Sequence, residues 1–146
     1  MNIHGIEIDD FTFGYLVCAL WSSTHPDFQT DRETEDTPET LYGYDVEDFD
    51  KESIELAAKV CTRFKALAGD LLLERESYNP HEGTILEHAG HDFWLTHNGH
   101  GAGFWDGRYP EDIGEKLTEL CKGFIDAHID VYTDKDGKEK LNLLMM

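Results

Sequence analysis

Between His91 and Asp106 the chain reads His-Asp-Phe-Trp-Leu-Thr-His, then Asn98-Gly99, then His-Gly-Ala-Gly-Phe-Trp-Asp. Two aromatic-rich runs around an Asn-Gly pair form the strongest short-range signal for a β-hairpin, because a tight turn that follows strand twist needs residues at positive φ. Pairing outward from a two-residue turn sets His97 opposite His100, Leu95 opposite Ala102, Phe93 opposite Phe104 and His91 opposite Asp106 on one face. The other face carries Thr96 with Gly101, Trp94 over Gly103 and Asp92 beside Trp105. A register with its turn at Gly101 stays open, since three glycines permit slippage.

Around this ribbon the apolar spacing is helical. Asp9 to Ser22 opens on acids suited to a helix N-terminus and continues with Phe11, Tyr15, Leu16, Ala19 and Leu20. A second helix is expected from near Asp50 to about Glu76, with Ile54, Ala57, Ala58, Cys61, Phe64, Ala68, Leu71 and Leu72 on one face and Gly69 weakening it without ending it. Thr84 and Glu87 read as a capping box for a short helix that stops at Gly90. Pro110 starts a third main helix carrying Ile113, Leu117, Leu120, Cys121 and Phe124. Ile129–Tyr132 and Glu139–Leu143 flank Asp136-Gly137 as a closing hairpin. The expected fold is α+β: three main helices packed on a small antiparallel sheet built from the central hairpin and the C-terminal strands. It forms one domain over residues 1–146, with an acidic loop at about 23–49. Its expected core is Tyr15, Leu16, Leu20, Trp21, Cys61, Phe64, Leu71, Phe93, Leu95, Phe104, Leu117, Leu120 and Phe124.

Charge limits function more sharply than fold. Acidic side chains number 31 against 12 basic ones, a formal charge of -19, while 40% hydrophobic residues suffice for a core. Such a surface repels phosphate backbones and anionic headgroups, so direct nucleic-acid and membrane binding are disfavoured. Twelve of the acids lie between Asp27 and Glu55, facing only Arg32 and Lys51. A run of this kind is most simply a solvated loop, yet Leu41, Tyr42, Tyr44, Val46 and Phe49 set apolar groups among the acids. Asp45, Glu47, Asp48 and Asp50 are therefore the candidate partner-binding surface. The apolar stretch from Phe11 to Trp21 is about half the length a membrane span requires.

Candidate chemistry is sparse. Cys18, Cys61 and Cys121 are widely spaced and sit among apolar residues, as reduced core thiols do. No phosphate-binding loop, nucleophile elbow or dinucleotide fingerprint is present. Asp134-x-Asp136-Gly137 lacks the remaining ligands of a calcium loop and reads as a turn. His88, His91, His97 and His100 raise the question of metal, with His91 and His100 the weak candidates, but two ligands do not define a site and no metal or other cofactor is expected. His88 and His91 share a helix face only if the short helix continues through Gly90. The His91-Asp92 pair resembles that of the metal-dependent phosphohydrolases named for it; those enzymes carry it on helices with further spaced ligands, so a pair that opens a strand does not fit. The possible functional ribbon is His91, Asp92, Trp94, His100, Trp105 and Asp106.

The stretch from His91 to Asp106, with Ala19-Leu20-Trp21-Ser22-Ser23-Thr24 and Tyr44-Asp45-Val46-Glu47-Asp48-Phe49, resembles a family of small uncharacterised bacteriophage proteins. The similarity covers most of the chain outside parts of the acidic loop and the termini, and departs at His97, where the family more often carries Arg. It implies an accessory gene product made in the cytoplasm of an infected bacterium, and supplies no activity. Three functions follow as expectations. The first is a non-enzymatic factor that binds a host or phage protein handling nucleic acid, with DNA mimicry as one form, and that contacts neither nucleic acid nor membrane itself. The second is a metal-binding protein or metal-dependent enzyme using His91, His100, Asp92 and Asp106. The third is a structural or assembly component. The negative charge favours a monomer or small homo-oligomer.

Overall fold

The computed structural model describes residues 1–25, 40–76 and 79–145; most of the acidic loop, at 26–39, lies outside the described residues. The fold is α+β, with four α-helices and two small antiparallel sheets among the described residues. A minimal N-terminal ribbon (β1, Asn2–Ile3; β2, Ile6–Glu7) precedes helix α1, Asp10–Ser22. Helix α2 spans Lys51–Ala68, α3 Ile85–His97 and α4 Glu111–Cys121. Strands β3, Ala127–Thr133, and β4, Glu139–Met145, close the chain as the expected hairpin. None of the described helices is long and apolar enough to cross a membrane.

The helix ends follow their capping chemistry. Asp9 accepts from the Thr12 amide at 2.9 Å, Asp50 from that of Ser53 at 2.9 Å, and Thr84 from that of Glu87 at 3.2 Å. Pro110 stands just before the acids Glu111 and Asp112 at the start of α4. Two expectations about α2 change. The α-helix stops at Ala68, with Gly69 as its C-cap at φ +55°, and residues 69–74 continue as a 3-10 helix, a tighter winding suited to short extensions.

The larger correction concerns the central hairpin. His91 to His97 belong to α3, so Gly90 lies inside a helix instead of ending one, and none of the cross-strand pairs forms. The Asn-Gly pair terminates that helix. Gly99, at φ +73°, supplies the left-handed residue while its amide donates to the Thr96 carbonyl at 3.2 Å and the His100 amide to that of Leu95 at 2.9 Å. This is the Schellman arrangement, and it draws on the same conformational freedom that a hairpin turn requires. Beyond it, Phe104 folds back and its amide donates to Thr96 Oγ1 at 2.9 Å. Among the described residues the strands are therefore those of the C-terminal hairpin and the small N-terminal ribbon, and the α-helices number four.

Helices α1 and α3 make the most extensive contact among the described elements. It depends on two glycines. A Cβ at Gly14 would fall 2.1 Å from the Glu87 carbonyl oxygen, and one at Gly90 would fall 2.1 Å from that of Phe11. Backbone thus lies against backbone, and the side chains on either side interdigitate around the crossing. Phe93 from α3 stacks on Phe64 from α2 at 4.1 Å between centroids, and Phe64 is flanked by Phe11 at 6.1 Å and Phe104 at 5.7 Å. Phe124 meets Phe64 and Phe93 edge-on. Of the expected core, Leu71, Leu95 and Leu120 are only partly buried and Trp21 is 44% exposed; the rest are buried.

Gly90→Ala and Gly14→Ala should each destabilise the protein by at least ~1–3 kcal/mol, the usual cost of overpacking, because the obstructing atoms are backbone and cannot rotate away. Urea denaturation followed by circular dichroism measures this. Wild-type midpoints in both variants would show that the helices do not approach so closely.

Candidate functional site

The helical placement of His91 and Asp92 gathers a polar cleft of about 720 Å3 beside α3, where His88, His91, Asp92 and Asp106 meet Arg75 and Arg108. His88 and His91, one turn apart on α3, bring their ring centroids to 5.8 Å. The continued helix therefore does put both on one face. Arg75 Nε donates to Asp92 Oδ2 at 3.1 Å, with both side chains almost wholly buried at 3% and 7% exposure. The looser Arg108–Asp106 pair stands at 3.9 Å, and Asp106 also accepts from the Gly103 amide.

Desolvation governs the charges here. Burial pushes the Asp92 carboxyl up to about 6 although Arg75 pulls it down, and burial, helped by His88 and Arg75, brings the His91 imidazole down to about 4. Tyr109 is buried, and its hydroxyl finds no hydrogen-bond partner among the described residues. The cleft presents donors and acceptors to a polar ligand but no thiol. Cys18, Cys61 and Cys121 are buried, and burial lifts the Cys18 thiol to about 12 and the other two further. Among the described residues no three of His, Cys, Asp and Glu come together to hold a metal ion. Helical placement removes the first objection to the phosphohydrolase comparison, and the missing further ligands leave it unsupported.

The remaining ribbon residues disperse. Trp94 is buried, its Nε1 donating to Ser22 Oγ at 2.8 Å. Trp105 is 52% exposed over a separate hollow. His100 lines a groove along β3, away from His91. His97 is buried in a bond system instead of facing His100. Its Nδ1 donates to the Ile125 carbonyl at 3.1 Å, which leaves Nε2 to accept from Tyr15 Oη at 3.0 Å. That arrangement needs a neutral ring, and burial lowers the His97 pKa to about 4.

On the other side of Trp21 and Tyr42 lies an apolar groove of about 370 Å3, floored by Ile3, Phe13, Val17, Leu20 and Val46. Asp45 and Glu47 stand among its lining residues, on and beside the 3-10 turn Val46–Asp48. The four candidate acids thus divide. Asp48 Oδ2 accepts from the Asp45 amide at 2.8 Å, and Asp50 accepts from Ser53 and, at 2.9 Å, from Tyr132 Oη, so both serve local structure. Asp45 and Glu47 line the groove, Asp45 also accepting from the Asp48 amide as the other half of a capping box. Sequence reasoning missed Arg75, placed by the 3-10 extension of α2, and Arg108, whose placement depends on the path of residues 98–110, and it put Trp21 in the core where the helix phase alone could not show which side α3 leaves bare.

No family model, no curated protein and no solved structure matches the chain.

Two measurements check this geometry. Arg75→Leu should cost ~3–5 kcal/mol by leaving the buried Asp92 carboxyl without its hydrogen-bonded partner, and adding Asp92→Leu should restore much of the loss. Denaturation of both variants decides it, and equal stabilities would mean the pair is not buried. For His97 the folded pKa lies below the unfolded value of 6.5, so the unfolded chain binds more protons between about 4 and 6.5. The stability it contributes is complete above about 6.5 and is lost as pH falls through about 4. Thermal unfolding from pH 7 to 4 should show a smaller decline in His97→Gln than in the wild type.

Proposed function

We propose that the chain is a non-enzymatic protein-binding factor, an accessory product of a bacteriophage acting in the cytoplasm of the infected bacterium on a basic, nucleic-acid-handling protein of host or phage. One observation carries this reading: an open apolar groove has Trp21 and Tyr42 at its lip, 44% and 77% exposed, with the carboxylates of Asp45 and Glu47 beside it. Amphipathic aromatics at the margin of a concave apolar patch are the residues that carry most binding energy in protein interfaces. The flanking acids favour a partner whose apolar anchor is followed by Lys or Arg, and the charge of -19 steers basic surfaces towards the protein from a distance.

Anchored docking fits better than a strict imitation of the DNA backbone. Mimicry needs free carboxylates on rigid elements at phosphate spacing, whereas Asp45, Asp48 and Asp50 are engaged in capping.

Affinity capture from lysate of the bacterial host, with quantitation of the bound protein, tests the proposal. The expected result is one nucleic-acid-binding partner that dissociates as salt rises and is lost in Asp45→Lys/Glu47→Lys. Trp21→Ala should weaken it by about 2 kcal/mol or more, roughly thirtyfold. A partner indifferent to salt, to those charges and to Trp21, or none at all, would overturn the reading.

A further inference from the structure

The two edges of the C-terminal hairpin are treated differently by the rest of the molecule. Asp134 donates its amide to the Lys138 carbonyl at 2.8 Å, which sets the phase of the ladder: Tyr132, Asp130 and His128 direct their backbone groups at β4, and Ala127, Ile129 and Val131 direct theirs outward. The same phase on β4 turns Leu141 and Leu143 outward. That edge is occupied, since the Leu141 carbonyl accepts from the Asp50 amide at 2.9 Å and the Leu143 amide donates to Ser53 Oγ at 2.7 Å. On β3 the Ala127 amide is taken by Asn98 Oδ1 at 2.7 Å, and beyond it the outward amides and carbonyls of Ile129 and Val131 have no hydrogen bond among the described residues. Along this edge runs a groove of about 550 Å3, with Ser22, Ser23 and Thr24 as its far wall.

We propose that the outer edge of β3 is a docking site for an extended, basic segment of a partner protein, which adds as a third strand. The proposal rests on the protein-binding reading above and gives it a second surface with its own recognition chemistry. Open strand edges attract a further strand because each added residue pair satisfies main-chain donors and acceptors, and the side chains facing the new strand set its sequence. Here Ile129 and Val131 point their side chains inward, while His128 and Asp130 are exposed on the other face. An incoming strand that places Lys or Arg beside Asp130, and apolar residues beside Ile129 and Val131, matches both faces. Two other occupants are disfavoured by charge. A second copy brings -19 against -19, and the chain's own segment 26–39 carries six acids against Arg32, the same sign as Asp130.

The probe is an acetylated, amidated heptapeptide alternating Lys with Val, and the readout is backbone amide NMR and hydrogen exchange on the full chain. Binding should shift and protect the amides of Ile129 and Val131. Asp130→Lys, exposed and outside the core, should weaken it tenfold or more. Val131→Pro deletes one outward donor that the hairpin does not use, and should abolish protection at Ile129 while the remaining β3 and β4 amides keep their positions. Should Val131→Pro disturb the hairpin, the same peptide methylated at alternate backbone nitrogens serves in its place and should fail to bind. No binding, binding confined to the Trp21–Tyr42 groove, or a wild-type dimer that Val131→Pro dissociates would each overturn the proposal. Capture of a basic partner that survives Val131→Pro but is lost in Trp21→Ala would remove the β3 site and leave the groove reading standing; loss of capture in neither variant would remove both.

Discussion

The packing of the described residues is centred on the backbone contact of α1 with α3. Gly14 and Gly90 let the two helices meet at a distance that no side chain would allow, and the residues next to them become the centre of the core. Tyr15 illustrates the consequence. It is fully buried, stacks at 5.6 Å on the His97 ring, meets Trp94 edge-on at 5.1 Å and donates its hydroxyl to His97 Nε2. A neutral histidine suits the contact, since a protonated Nε2 would face the Asn98 side-chain nitrogen, also a donor, at 3.3 Å, and burial disfavours the charged ring.

The surface hollows are by-products of that crossing. Because α3 leans on α1 by one face, its other side carries His88, His91 and Asp92 into the polar cleft, where Arg75 is brought by the 3-10 extension of α2. Trp21, at the end of α1, projects past the contact and meets His91 edge-on at 6.4 Å. It therefore forms a wall shared by two hollows of opposite character, one charged and one apolar. The open β3 edge arises in the same way: Asp50 and Ser53 at the start of α2 cover β4, and Asn98 at the end of α3 reaches only the first residue of β3.

Residues 85–97 satisfy two sequence patterns at once. Leu86, Ala89, Gly90, Phe93, Trp94 and His97 fall at helical spacing, yet the dense aromatics and the following Asn-Gly also satisfy a strand pattern over a short window. Glycine at 90 looked like an end because its local propensity is poor. Tertiary contact reverses that preference, as the close approach of α1 repays the loss of helix propensity. The same misassignment scattered the proposed ribbon: of its six residues, His91, Asp92 and Asp106 share the cleft while Trp94, His100 and Trp105 point elsewhere.

By itself the sequence determined the elements whose information is local: the caps at Asp9, Asp50 and Thr84, the amphipathic faces of α2 and α4, the closing hairpin around Asp136-Gly137, the buried thiols, and the acidity that shapes any partner. These follow from hydrogen-bond geometry and periodicity within a few turns of chain. Tertiary structure alone decided whether Asn98-Gly99 would turn a ribbon or cap a helix, because both need the same left-handed residue and only the partner of the preceding segment distinguishes them. It also decided which acids stay free and which tryptophan faces solvent. Those are properties of what lies across a contact from each residue, and residues that meet there, such as Tyr15 and His97, are separated by most of the chain.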